Sequence, residues 1–155
     1  SSSAPISTGS STRTRRLVAD PAPKGLLDTS VVISLESLQA RDLRALPAEL
    51  AVSALTMAEL AAGPHAASNA AERAVRQDRL QRAEATFEAI PFDGAAARAY
   101  GRVYAAVVDT GRKARGSRMV DLLIAATALA HDLPLLTRNA TDFRGLEDLI
   151  ELVEV

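Results

Sequence analysis

Four carboxylates lie in unusually apolar company. Asp28 lies within Leu26-Leu27-Asp28-Thr29-Ser30-Val31-Val32-Ile33, and Glu59 within Met57-Ala58-Glu59-Leu60-Ala61-Ala62. Asp121 opens Asp121-Leu122-Leu123-Ile124-Ala125-Ala126, and Asp142 follows Thr137-Arg138-Asn139 and precedes Phe143. An ionised carboxyl among apolar neighbours carries a desolvation cost unless something compensates it. A divalent cation is one such compensation. Several carboxylates around it leave positions for water and a phosphate oxygen, and the ion then polarises the phosphate and acidifies bound water. The chain has no Cys and only two His, His65 and His131, too few and too far apart for a His-based metal motif. Any metal must therefore be held by oxygen, which points to Mg2+ or Mn2+.

Each acid also has a plainer reading. Asp28 can cap the helix that follows it. Glu59 can be an ordinary helix residue with its head in solvent. Asp121 is favoured at a helix start by the backbone dipole, and Asp142 suits a turn. Taken singly these readings suffice, but they do not explain four such acids in this order along one chain.

The elements that must position them alternate. Leu26 to Ile33 reads as a buried strand running into a helix, interrupted by Asp28, Thr29 and Ser30. Leu50–Ser53 is a second strand, and Thr56–Ala62 a helix stopped by Gly63-Pro64. Ser68 can cap a long helix running to about Glu88, whose alternating charges leave one face solvated. Ala89–Phe92 is a third strand, and Asp93 caps a helix over Ala95–Asp109 that ends at Gly111. After the basic loop Arg112–Ser117, Met119–Ala130 is apolar nearly all round and predicts a buried helix. Pro134–Thr137 and Leu149–Val153 complete the strands. Strands alternating with helices imply an α/β sandwich with a mostly parallel sheet, whose sites lie beyond the carboxyl ends of its strands. Asp28 and the segment Asn139–Asp142 fall at that edge.

Length and composition agree. A chain of 155 residues suits one domain, and with 48% hydrophobic but only 3% aromatic residues its core is built from Ala, Leu, Val and Ile. Phe87, Phe92 and Phe143 are read as core, and Tyr100 and Tyr104, four apart on one helix face, as core or interface. A formal net charge of −1 excludes a globally basic nucleic-acid binder, so any RNA must meet a local basic patch. No apolar run reaches the roughly 18 residues of a membrane helix, and Ser1 to Asp20 shows no signal-peptide core. Absence of Cys is compatible with the cytoplasm. Residues 1–24, rich in Ser, Pro and Arg, read as a disordered arm or in part a cloning remnant, since residue 1 is not Met. The folded domain is expected over 25–155.

The motifs together carry a family resemblance. Gly25-Leu26-Leu27-Asp28-Thr29-Ser30-Val31-Val32-Ile33 resembles the opening strand of a PIN domain. Thr56-Met57-Ala58-Glu59-Leu60 resembles its second acidic motif, and Asp121-Leu122-Leu123-Ile124-Ala125-Ala126-Thr127-Ala128 its third. Leu135-Leu136-Thr137-Arg138-Asn139 with Asp142-Phe143 resembles the fourth. Each motif alone is weak, but the ordered set, spread from Leu26 to about Val155, is specific, and it is most similar to the VapC toxins of type II VapBC toxin–antitoxin pairs.

The resemblance implies a PIN-like three-layer α/β sandwich with a central, mostly parallel five-stranded sheet. It implies that Asp28, Glu59, Asp121 and Asp142 form an acidic pocket, with Asp28, Asp121 and Asp142 as ligands of Mg2+ (Mn2+ substituting) and Glu59 acting through water or on a second ion. Thr29 and Ser30 are implied as pocket-lining hydroxyls, and Thr137 and Asn139 as groups that orient the acids. The implied activity is endoribonucleolytic cleavage of RNA of the tRNA or rRNA class, leaving 5′-phosphate and 3′-hydroxyl ends and halting translation and growth. The implied partners are a VapB-like antitoxin and a second copy of the chain, as a homodimer, heterotetramer or hetero-octamer. For the antitoxin's apolar segment, the Thr56–Ala62 and Ser68–Glu88 helices offer a groove. For RNA, Arg112, Lys113, Arg115 and Arg118 just before Asp121, and Arg138, are candidate phosphate contacts, equally readable as solvated loop residues. His131 reads as a helix C-terminal dipole partner and His65 as a loop residue.

Two competing readings remain open. An aspartyl-phosphate enzyme could use Asp28 as nucleophile, but Ser30 occupies the position where that chemistry wants a second acid. A catalytically inactive PIN-fold interaction module has no need of four acids.

Overall fold

The computed structural model describes residues 23–155, so the expected N-terminal arm, with Arg13, Arg15 and Arg16, lies outside the described residues. Five strands, β1 (Lys24–Leu27), β2 (Glu49–Ser53), β3 (Glu88–Ile90), β4 (Leu135–Thr137) and β5 (Leu152–Glu154), form one sheet in the order β3-β2-β1-β4-β5. Every pairing is parallel. Six helices connect them: α1 (Thr29–Ser34), α2 (Ala40–Arg44), α3 (Ala54–Ala62), α4 (Ala70–Thr86), α5 (Gly94–Asp109) and α6 (Ser117–Ala130).

The three layers follow from the period of two in each strand. Leu26 pairs with Ala51 on one side and Leu135 on the other, and these residues pack with Val103 and Val107 of α5 and Leu122 and Ala125 of α6. One residue on, Leu27 pairs with Val52 and Leu136, and these face Val31 and Val32 of α1, Leu60 of α3 and Ala83 of α4. The apolar pairs Leu26-Leu27, Ala51-Val52 and Leu135-Leu136 thus each send one side chain to either face. Both faces of a parallel sheet are covered, as they must be. Phe143 is buried, while Phe87 and Phe92 are partly buried against the two cores.

Several element ends differ from the sequence reading, each for a local reason. The first strand already includes Lys24, whose ammonium donates to Glu88 at 2.9 Å. The cap of α4 is Asn69, not Ser68: the Asn69 side chain accepts from Glu72 N at 2.8 Å, while Ser68 N donates back to the Glu72 carboxylate at 2.9 Å. Gly63-Pro64 does not release the chain from α3 but tightens it into a 3-10 turn, Gly63–Ala66. β3 spans Glu88–Ile90 rather than reaching Phe92, because Pro91 has no N–H to give the ladder. The last strand begins only at Leu152, since Leu149 N and Ile150 N are both spent on Leu146 O in a turn. The short, largely exposed α2 had no apolar periodicity to announce it. Among the described residues, no helix is long and apolar enough to cross a membrane.

Candidate active site

The chain reverses its direction of travel across the sheet between β1 and β4, the place where a parallel sheet leaves a crevice at its carboxyl edge. Asp28 is the first residue beyond β1. Its N–H continues the ladder to Leu136 O at 2.9 Å, which fixes its backbone against β4. Its side chain is buried, caps α1 by accepting from Val31 N at 3.1 Å, and accepts from the Ser30 hydroxyl at 2.5 Å. The capping reading of Asp28 is therefore correct, and it leaves the second carboxylate oxygen available. Ser30 Oγ in turn accepts from Arg138 N at 3.2 Å, so Ser30 links the ends of β1 and β4.

Helix α3 starts directly from β2, with the Ser53 side chain capping it through Leu55 N. Its exposed Glu59 accepts from the Thr29 hydroxyl at 2.6 Å. Thr29 Oγ1 also lies 3.1 Å from Oγ1 of Thr56, which is fully buried. Thr56 belongs to this network although the sequence reading gave it no role. The available signal was its spacing, three residues before Glu59 and hence on the same helix face.

Asp121 sits one turn into α6, and Asp142 in the 3-10 turn Ala140–Phe143 after β4. The Asp121 carboxyl is raised from its ordinary value of 3.8 to about 6. Burial is the largest cause, followed by the negative charges of Asp28, Asp142 and Glu59, with Arg118 opposing. The four acids predicted from sequence thus share one electrostatic neighbourhood. Among the described residues, no three His, Asp or Glu side chains form a ready ligand cluster. The donor set itself, four carboxylates that repel one another and no nitrogen or sulfur, fits a hard divalent cation.

The remaining candidates divide by what they touch. Thr137 Oγ1 accepts from Asn139 N at 3.1 Å, and Asn139 Oδ1 accepts from the Thr141 hydroxyl at 2.5 Å. Both shape the turn that carries Asp142, whose N–H donates to Asn139 O at 3.2 Å; neither side chain bonds a carboxylate. Their contacts place both residues in the turn that positions Asp142. The Arg112 guanidinium donates to Thr141 O at 2.9 Å and pins the same turn. Burial and the nearby Arg118 and Arg144 lower its pKa. Arg138 donates to Val155 O at 2.8 Å. Lys113 and Arg115 are exposed. Among the described residues, Arg118 Nη1 is buried with no hydrogen-bond acceptor, one turn from Asp121. An unpaired guanidinium N–H beside an acidic pocket calls for an oxygen ligand. His131 is the C-cap residue of α6.

This geometry can be set beside known proteins. The chain is 36% identical over 133 residues to Ribonuclease VapC5 of Mycobacterium tuberculosis, covering 84% of this chain and 95% of that protein. It is 39% identical over 104 residues to Ribonuclease VapC8 of the same species, covering 67% and 89%. Among solved structures it resembles that of VapBC-5 from Mycobacterium tuberculosis, a member of the VapBC family of toxin–antitoxin systems. The TM-score is 0.74 at 33% identity, over 86% of this chain and all of that one. FitAcB from Neisseria gonorrhoeae matches with a TM-score of 0.61 at 27% identity, over 83% and 96%. The family model for the PIN domain matches residues 25–148. Since that stretch opens on the first strand and runs past all four acids, the chain belongs to the PIN-domain family.

Proposed function

We propose that the protein is a divalent-metal-dependent endoribonuclease and the toxin of a toxin–antitoxin pair. The observation that carries the activity is the shared site at the carboxyl edge of the sheet, where burial first and then the charges of Asp28, Asp142 and Glu59 push up the carboxyl of Asp121. The likeness to proteins named ribonucleases supports RNA as substrate.

In this reading Asp28, Asp121 and Asp142 hold Mg2+, with Mn2+ able to substitute, and Glu59 adds its charge. Such a cation, once bound, supplies Lewis-acid chemistry to the scissile phosphate and the attacking water. The chain's own groups do the rest. Thr29 fixes Glu59, Ser30 fixes Asp28, and the Thr137–Asn139 turn with Arg112 fixes Asp142. One acid takes the proton of the attacking water. Arg118, with its unmet N–H, takes a phosphate oxygen of the RNA.

The solved VapBC assemblies support a VapB-like antitoxin as partner. Besides the α3–α4 pair, a second groove could take its apolar segment: Val32, Ile33 and Leu35 on one side and Ala83 of α4 with Phe87 just after it on the other line a cleft of about 190 Å³. Arg82, ion-paired to Glu36, stands at its rim. The proposed nuclease domain is 25–155, acting in the cytoplasm on RNA of the tRNA or rRNA class. Incubation of the purified chain with bulk tRNA and rRNA tests the activity. Discrete fragments with Mg2+ or Mn2+, none with chelator and none from Asp121→Asn are expected; cleavage that survives chelation contradicts it.

A further inference from the structure

Helix α5 buries one face in the core through Ala96, Ala99, Val103 and Val107 and leaves a second face in solvent. On that outer face Tyr104 is 48% and Val108 46% exposed, an aromatic and a branched apolar side chain one helical turn apart. Tyr104 is braced from within: its ring centroid lies 6.1 Å from that of the partly buried Tyr100, tilted by 55°. Tyr104 and Val108 line a cavity of about 210 Å³ whose other wall is the basic loop, Arg112, Lys113, Ala114 and Arg115. The cavity adjoins the acidic site, because Arg112 also bonds Thr141 O, next to Asp142.

An aromatic face beside an apolar surface, ringed by three cations, complements a ligand that carries both a π-face and a negative charge. A folded protein segment has no reason to combine these, whereas an unpaired nucleotide always does. Paired bases present no free face to a tyrosine. We propose that Tyr104, backed by Tyr100 and Val108, is the stacking platform for an unpaired base of the RNA substrate near the cut, with Lys113 and Arg115 on its phosphates. This rests on the ribonuclease reading and sharpens it: the substrate is cut in single-stranded or loop RNA rather than in duplex.

Binding is read without catalysis, in chelator, with a short oligoadenylate, the same oligomer made abasic, and a duplex of the same length. The chain has two Tyr and no Trp, so its intrinsic fluorescence reports on Tyr100 and Tyr104 directly. Expected results are quenching by the oligoadenylate but not by the abasic strand, and weaker binding of the duplex. Tyr104→Ala should weaken oligoadenylate binding roughly tenfold or more, and Tyr104→Phe and Tyr104→Trp should retain it. In cleavage of bulk tRNA the same Ala variant should raise KM with little change in kcat. Equal binding of abasic and normal strands, or a Tyr104→Ala variant with unchanged KM while the wild type cuts RNA, overturns the platform alone. If the wild type cuts no RNA at all, the ribonuclease reading fails instead. A wild-type dimer that Tyr104→Ala converts to monomer in sedimentation would make this face a contact between copies and also overturn the platform.

Discussion

The hydroxyl of Thr29 donates to the Glu59 carboxylate at 2.6 Å, and this single bond joins the residue after Asp28 to the helix that follows the neighbouring strand. Through it, Asp28 and Glu59, far apart in sequence, become one unit. Glu59 is exposed, so the bond contributes little to stability. Its value is in holding a charge where the site needs it. Thr29→Val should therefore leave the melting temperature nearly unchanged and weaken metal-supported cleavage about tenfold, the scale typical of groups that orient ligands. Thr29→Ser, which keeps the donor, should recover most of the loss. Kinetics at graded Mg2+ concentrations check both, and equal activity of the Val variant would show that Glu59 needs no support.

Repulsion among the acids has a cost in the metal-free protein. The folded-state pKa of Asp121 lies above its ordinary value, so the folded chain binds a proton that the unfolded chain has already lost. Stability is then fully present below about pH 3.8 as far as this group is concerned, and falls as pH rises through about 6. The group is partly open to solvent, which screens the effect to about 1 kcal/mol at neutral pH. Denaturant unfolding in chelator should show Asp121→Asn more stable than wild type by that amount at pH 7, with the difference vanishing near pH 4. A variant less stable at both values would refute the assignment of strain to this carboxyl.

The same repulsion predicts the response to a cation. Mg2+ or Mn2+ should raise the thermal midpoint of the wild type, by the equivalent of about 2.7 kcal/mol at a hundredfold excess over Kd. Asp121→Asn should respond far less, and Ca2+ or Na+ at equal ionic strength separates binding from screening. Identical shifts in both proteins would place the ion elsewhere.

Gly25 shows how the fold reaches the site. A Cβ there would come within 2.7 Å of the Leu136 side chain and 2.9 Å of the Pro47 ring, and the ring cannot move far. Gly25→Ala should cost about 1–3 kcal/mol by overpacking. Because Leu27 on the same strand leads directly into Asp28, it should also lower activity per folded molecule. A variant of wild-type stability would mean that β1 has more slack than its packing indicates.

How much of this was legible in sequence depends on how local each signal is. The apolar pairs on β1, β2 and β4 announced a sheet covered on both faces, and the acids at the strand and helix ends announced the edge where they meet. Tertiary competition was not legible. Ser68 and Asn69 are both good caps, and only the placement of Glu72 decides for Asn69. Arg112 reads equally as a phosphate contact or a solvated loop residue, and its bond to Thr141 O is a tertiary contact that neither reading contains. The one signal of Thr56, its spacing from Glu59, gains meaning only when Thr29 lies against it. Tyr104 reads as core or interface from its spacing with Tyr100, and only the packing of α5 shows which of the two is left outside.

The central claim is that the four acids cut RNA in the cell. It is tested most directly by expressing the wild type and Asp121→Asn in bacteria and mapping new 5′-phosphate RNA ends across the transcriptome, a design that presumes no target. Discrete new ends and growth arrest with the wild type alone are the predicted result. Identical end maps from the two proteins, both folded and soluble, would contradict it.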